Sequence, residues 1–268
     1  MQTIKQQLNA HSYFAGVMQS TPGANLQTTF PTIVIVPGGS YTHIPEAQAE
    51  AIVLAFAAQG FNAVYLRYSF VGEVTPLLPT PIIELGQTIA QLKNTPTWPV
   101  DSNKVLVFGM SVGGHIAALY NDYWAATWLT KATDTSAQTR KPAGILLGYP
   151  VISPKLGFPT SATTLAQWTD TPDTFAAEKH VSQHNQPTFA WVTADDQLVP
   201  AGNTLSYVNA MWQMQRPVEL HMFDHGPHGL ALSTAVTAGK SSHDNPHVAH
   251  WFELALEWID HLFAEIPD

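Results

Sequence analysis

The chain alternates short, nearly unbroken apolar runs rich in β-branched residues with longer segments whose apolar residues recur every three or four positions. Runs of the first kind read as strands buried on both faces, and segments of the second kind as amphipathic helices. Strands are predicted at 32–36 (TIVIV), 61–65 (FNAVY), 104–108 (KVLVF), 144–147 (GILL), 188–192 (TFAWV) and 218–222 (VELHM). Helices are predicted at 45–59, 81–93, 113–129, 202–215 and 248–263, several of them starting after a proline or a polar cap. Strands alternating with helices imply an α/β fold with a mostly parallel central sheet and helices on both faces. Residues 150–187 break the rhythm with Pro, Ser, Thr and isolated aromatics, and are expected to form a small cap-like insertion. Residues 233–246 read as a polar surface loop, and no internal repeat is visible.

With 268 residues, one domain spanning 1–268 is expected, the insertion included. Eleven basic and 20 acidic residues make 12% of the chain, about half the usual share, so disorder is excluded and a globular core expected. The net charge of −9 repels phosphate backbones and anionic lipid, which removes nucleic acid and acidic membranes as partners. The absence of cysteine excludes disulfides, thiolate metal sites and a cysteine nucleophile. The N-terminus lacks an apolar signal core, and the most apolar stretch, 51–66, is interrupted by Gln59, Gly60 and Asn62. A soluble, cytoplasmic protein is expected.

The sharpest local signal is Gly109-Met110-Ser111-Val112-Gly113, which follows one predicted strand and opens a predicted helix. A serine on such a turn is held on a tight backbone with its hydroxyl above the sheet edge, and the small flanking residues avoid collisions with neighbouring strand and helix. The following helix aims free N–H groups at charge forming there. The other reading of the segment is a glycine turn with Ser111 capping the helix. A serine hydroxyl needs a base, and the base a carboxylate to orient it. In a parallel sheet these come from loops at the carboxyl ends of later strands. Two such loops carry Asp195-Asp196 and Asp224-His225-Gly226-Pro227-His228, in the chain order nucleophile, acid, histidine.

Together the segments Pro37-Gly38-Gly39-Ser40-Tyr41, Gly109 to His115, Gly148-Tyr149-Pro150-Val151-Ile152, Pro187 to Trp191 with Thr193 to Asp196, and His228-Gly229-Leu230 resemble an α/β-hydrolase fold serine esterase. The chain is similar to the esterase and lipase group that contains bacterial feruloyl and acetyl-xylan esterases, itself related to the prolyl-oligopeptidase catalytic domain. The resemblance implies Ser111 as nucleophile, Asp196 as the acid because it stands four residues before Pro200, and His228 as the base because it precedes Gly-Leu. Asp195, Asp224 and His225 are the neighbouring alternatives. It implies an oxyanion hole formed by the amide of Val112 with that of Gly39 or Ser40. The loop reads Val36-Pro37-Gly38-Gly39 rather than the commoner His-Gly-Gly-Gly, so which amide points inward stays open.

Twelve histidines raise the question of a metal. His180 with His184, and His243 with His247 and His250, lack the companions that a recognised metal motif needs, so exposed histidines and no metal or organic cofactor are expected. His115 is expected to pack or hydrogen-bond at the start of the nucleophile helix. Tyr41, Phe158 and Trp168 are candidate walls of a substrate pocket or tethers of the cap. The implied function is hydrolysis of small acyl or sugar-linked carboxylic esters through an acyl-enzyme, near or above neutral pH. A prolyl-oligopeptidase-like peptidase and a non-catalytic binding module are the alternatives. The partner is a small-molecule ester; self-association is not legible.

Overall fold

The computed structural model describes residues 1–21 and 28–265. Its strands are β1 (Gln2–Gln7), β2 (Tyr13–Met18), β3 (Phe30–Val36), β4 (Asn62–Arg67), β5 (Val100–Met110), β6 (Gly144–Gly148), β7 (Thr188–Thr193) and β8 (Val218–Phe223). They form one sheet in the order β1-β2-β4-β3-β5-β6-β7-β8. β1 pairs with β2 and β2 with β4 antiparallel, while all pairs from β4 to β8 are parallel. The six parallel strands are the six predicted ones. Ile33 to Val36, Val105 to Phe108 and Ile145 to Leu147 have no exposed surface, so helices cover both sides and no polar alternation is left in the sequence. The antiparallel pair is an addition to the predicted set. β1 reads QTIKQQ and buries only Ile4, so its pattern differs little from that of a polar loop.

The helices are α1 (Glu46–Ala58), α2 (Thr80–Asn94), α3 (Val112–Tyr123), α4 (Thr127–Thr133), α5 (Ala137–Arg140), α6 (Ala162–Trp168), α7 (Gly202–Gln213), α8 (Pro246–Ala249) and α9 (Trp251–Ala264). α1 and α9 share one face: the Phe56 ring meets Phe108 and Phe252 at 6.0 and 4.9 Å, and Trp251 stacks on Trp191 at 5.2 Å. α2, α3 and α7 pack on the sheet and on one another across the other face, where the Tyr207 hydroxyl donates to the Ala118 carbonyl.

Two expectations need correction. The helix expected over 113–129 is interrupted between α3 and α4. The carbonyl of Trp124, which a continuous helix would use internally, instead accepts from the fully buried guanidinium of Arg140 at 3.0 Å, while Ala126 N turns back to Tyr123 O. The helix expected over 248–263 starts earlier, as the short α8, and is redefined at His250.

The insertion at 150–187 contains α6, capped by the Ser161 hydroxyl on Thr164 N, and two 3₁₀ turns, Pro172–Phe175 and Ala177–Lys179. It is stitched to the body at several points. Leu77 N and Leu78 N donate to the carbonyls of Gln167 and Trp168 at 3.0 and 2.9 Å. Asn203 on α7 accepts from Ile152 N and Ser153 N and donates to Leu156 O.

Candidate active site

β3, β5, β7 and β8 end on the same side of the sheet, and the loops that follow them bring the chemistry together. Ser111 stands between β5 and α3 with φ 55° and ψ −123°, a conformation that an L-residue occupies at a cost of about 1–3 kcal/mol. The strain is held by hydrogen bonds on both sides: Ser111 N donates to Gly148 O at 3.1 Å, and its carbonyl accepts from Val151 N at 2.9 Å and His115 N at 3.2 Å. Gly113 is required by close approach, since a Cβ there would lie 2.0 Å from the Val36 carbonyl oxygen. The turn thus lets α3 sit against the end of β3, where the loop that follows β3 begins.

Asp196, in the loop after β7, has a side chain with no exposed surface. Its Oδ1 accepts from Leu198 N at 2.9 Å and Val199 N at 3.0 Å, and its Oδ2 meets His228 Nδ1 at 2.6 Å. His228 Nε2 lies 2.8 Å from Ser111 Oγ. A carboxylate only accepts, so His228 Nδ1 carries the proton and Nε2 presents its lone pair to the serine hydroxyl. This tautomer is the one that general-base activation needs.

The neighbouring candidates fall outside this line. Asp195 pairs with His225, whose side chain is 78% exposed, and accepts from Gly226 N at 2.8 Å. The Gly226 amide, with His225 beside it, holds the Asp195 carboxyl below its ordinary range. This outer pair fastens the histidine loop to the acid loop, as do Thr193 Oγ1 to Gly226 O and Ala194 N to Phe223 O. Asp224 is exposed.

The loop after β3 carries Gly39, Ser40 and Tyr41 at φ 122°, 55° and 63°. The amides of Gly39 and Ser40 donate to no acceptor among the described residues. Val112 is the first residue of α3, so its amide also lies ahead of the helical ladder. Gly38 abuts Ser111: a Cβ there would lie 3.0 Å from Ser111 Cβ and 3.6 Å from Oγ. The arrangement leaves free donors beside a hydroxyl that faces an imidazole, which suits attack on a carbonyl carbon and stabilisation of the oxyanion formed.

Of the pocket candidates, Tyr41 and Trp168 are fully buried and present no surface to a substrate. They pack edge to face at 4.7 Å, with the half-buried Phe158 ring 5.9 Å from Trp168, so the aromatic trio ties the insertion to the loop after β3. His115 is buried and hydrogen-bonded, as expected. No group of three or more potential metal ligands occurs among the described residues. No helix there is long and apolar enough to cross a membrane.

Tyr149 was not singled out by the sequence. Its ring stands edge to face on the His228 imidazole at 4.9 Å, and its hydroxyl accepts from Ala231 N at 3.1 Å, so it steadies both the imidazole and its loop. Its left-handed φ of 36° has no sequence signature.

Residues 21–143 match the BD-FAE family. A carboxylesterase of Lactobacillus plantarum superposes over the whole of both chains with a TM-score of 0.90 and 31% identity. A candidate carboxylesterase from the same organism is 47% identical, with 97% of this chain and 98% of that one covered and a TM-score of 0.80. Endo-1,4-beta-xylanase B of Butyrivibrio fibrisolvens is 28% identical over 211 residues, 75% of this chain and 32% of that protein. The chain spans about a third or less of the length of the curated relatives it matches. The full-length likeness at 31% and 47% identity, on an eight-stranded, mostly parallel sheet, places the chain in the carboxylesterase family of α/β-hydrolase fold, a family of carboxylic-ester hydrolases.

Proposed function

We propose that the chain hydrolyses small acyl or sugar-linked carboxylic esters through Ser111, His228 and Asp196. The observation that carries this reading is the continuous line from Ser111 Oγ to His228 Nε2 at 2.8 Å and from His228 Nδ1 to Asp196 Oδ2 at 2.6 Å, with the serine on a strained turn at a helix start. His228 takes the hydroxyl proton as Ser111 Oγ bonds to the ester carbonyl carbon. The oxyanion is held by the amide of Val112 and by that of Gly39 or Ser40. Collapse of the intermediate breaks the bond to the alkoxy oxygen, which leaves with the proton from His228. Water, deprotonated by the same imidazole, then attacks the acyl-enzyme, and the acid departs as the proton returns to Ser111. Asp196 keeps the imidazole in its tautomer and stabilises the imidazolium.

The sugar-linked part of the proposal draws on the likeness to a protein named as a xylanase and on the scarcity of charged residues, which favours neutral esters. The test compares wild type with Ser111→Ala on p-nitrophenyl acyl esters, acetylated xylan, feruloyl esters and aminoacyl-prolyl amides, with a serine-directed phosphonate as active-site label. Ester hydrolysis and labelling confined to wild type are expected. Equal rates for the two proteins and an unlabelled wild type would sink the proposal, and turnover of the prolyl amides alone would replace it with a peptidase.

A further inference from the structure

From the sequence Tyr41 is either a pocket wall or a tether of the cap, and its full burial leaves its hydroxyl to be explained. That hydroxyl lies 2.9 Å from His115 Nδ1, and His115 Nε2 lies 2.7 Å from the carbonyl oxygen of Phe175. A carbonyl only accepts, so the ring proton is on Nε2, and Nδ1 accepts the hydrogen bond that the Tyr41 hydroxyl donates. Burial pushes the His115 pKa down to about 4, so the ring is neutral at working pH and this direction persists.

The three residues belong to three parts of the site. Tyr41 ends the run Gly39-Ser40-Tyr41, all at positive φ, of which only the first is a glycine. Such a run relaxes unless the surroundings fix it. Among the described residues the fixing hydrogen bonds of this run are Thr42 N, Thr42 Oγ1 and His43 N to Gly39 O, Val71 N to Tyr41 O, and that of the Tyr41 side chain. His115 lies on the first turn of α3, its amide bonded to Ser111 O, and the same turn begins with Val112. Phe175 belongs to the insertion.

We propose that Tyr41 and His115 are a positioning pair that sets the spacing between the two halves of the oxyanion hole, the loop amides on one side and the Val112 amide on the other, with the insertion supplying through the Phe175 carbonyl the contact that fixes the tautomer. The inference rests on the ester-hydrolase reading. Neither residue touches substrate. Their effect is on where the loop donors stand, and those donors act on the oxyanion more than on the ground-state carbonyl.

Complete loss of one oxyanion donor costs about a hundred- to a thousandfold in rate, so a displaced donor should cost roughly ten- to a hundredfold. Tyr41→Phe removes one oxygen and keeps the ring packing against Trp168. It should lower kcat by roughly tenfold or more with KM nearly unchanged, and weaken inhibition by a boronic acid in parallel, while the affinity for the product carboxylate stays the same. His115→Leu should resemble Tyr41→Phe, the double variant should be no worse than either, and His115→Asn, which keeps an acceptor for the hydroxyl, should recover most of the loss.

A wild type that neither turns over an ester nor takes up a serine-directed phosphonate overturns the underlying reading and this inference with it. A wild type that does both, beside a Tyr41→Phe variant with unaltered kcat and only a lower melting temperature, overturns this inference alone. Additive losses in the double variant also overturn it. Should His115→Leu not fold, the Tyr41→Phe and His115→Asn results decide the matter.

Discussion

Replacing Asp196 by Asn tests how the site sets its base. The carboxylate serves three donors at once, Leu198 N and Val199 N on Oδ1 and His228 Nδ1 on Oδ2, with no exposed surface. An amide can present oxygen on only one side. Turned with its NH₂ towards the two backbone amides, it sets donors against two donors; turned the other way, it satisfies both and points NH₂ at His228. The second orientation leaves one conflict instead of two and should win. His228 Nδ1 must then accept, which moves the ring proton to Nε2, and Nε2 donates to Ser111 Oγ instead of taking its proton. The fold is kept and the base is lost, so kcat should fall about 10⁴-fold, or about 5.5 kcal/mol in the barrier. Asp195→Asn disturbs only the outer pair with exposed His225 and should cost less than about tenfold. The assay is steady-state hydrolysis of p-nitrophenyl acetate by both variants, with circular dichroism to verify folding. Equal losses from the two, or an Asp196→Asn enzyme keeping a tenth of wild-type kcat, would show that the tautomer argument is wrong.

Three further outcomes follow from the same geometry. Ser111→Gly should be inactive yet more stable by about 1 kcal/mol in urea denaturation, because glycine occupies φ 55° without the steric cost that serine bears there; a less stable variant would contradict this. Gly113→Ala places a Cβ 2.0 Å from the Val36 carbonyl oxygen and should cost about 3 kcal/mol or more by the same measurement, whereas a soluble variant of wild-type stability would refute the reading of that contact. Acid should weaken the fold through His115: burial depresses its pKa from 6.5 to about 4, so the unfolded chain takes up the proton first, and the stability present above pH 6.5 is lost as pH falls towards 4. Between pH 7 and pH 5 this amounts to about 2 kcal/mol, absent from His115→Asn; identical pH slopes for the two proteins would exclude it.

The parallel strands were legible because burial on both faces leaves an apolar run such as TIVIV, whatever lies further along the chain. β1 was not, because a strand that buries one residue in six leaves almost no periodic trace. The break after α3 lies in Ala-rich sequence without glycine or proline, and its cause, the Arg140 guanidinium on the Trp124 carbonyl, sits sixteen residues away. At the site, the strand-to-helix turn and the two strand-end loops narrow the candidates to Ser111, Asp195, Asp196, Asp224, His225 and His228, and the resemblance to the esterases chooses among them. For Tyr41 and Trp168 the sequence left pocket wall and tether of the cap as equal readings, because an aromatic beside a functional loop reads alike whether it lines a cavity or fills the core. Contacts between residues 41, 115, 168 and 175 decide which, and no local pattern encodes them.

The seams that join the insertion to the body carry a kinetic consequence. Backbone hydrogen bonds from Leu77 and Leu78, the Asn203 side chain and the buried ring of Trp168 would all have to break for the insertion to swing away as a lid. One way a hinged flap can open is by settling its apolar underside on an oil–water boundary, and an enzyme built that way speeds up when such a boundary forms. With the insertion sewn down, catalysis should instead proceed on dissolved monomers, and the rate should pass through the critical micelle concentration of a longer-chain ester without a jump.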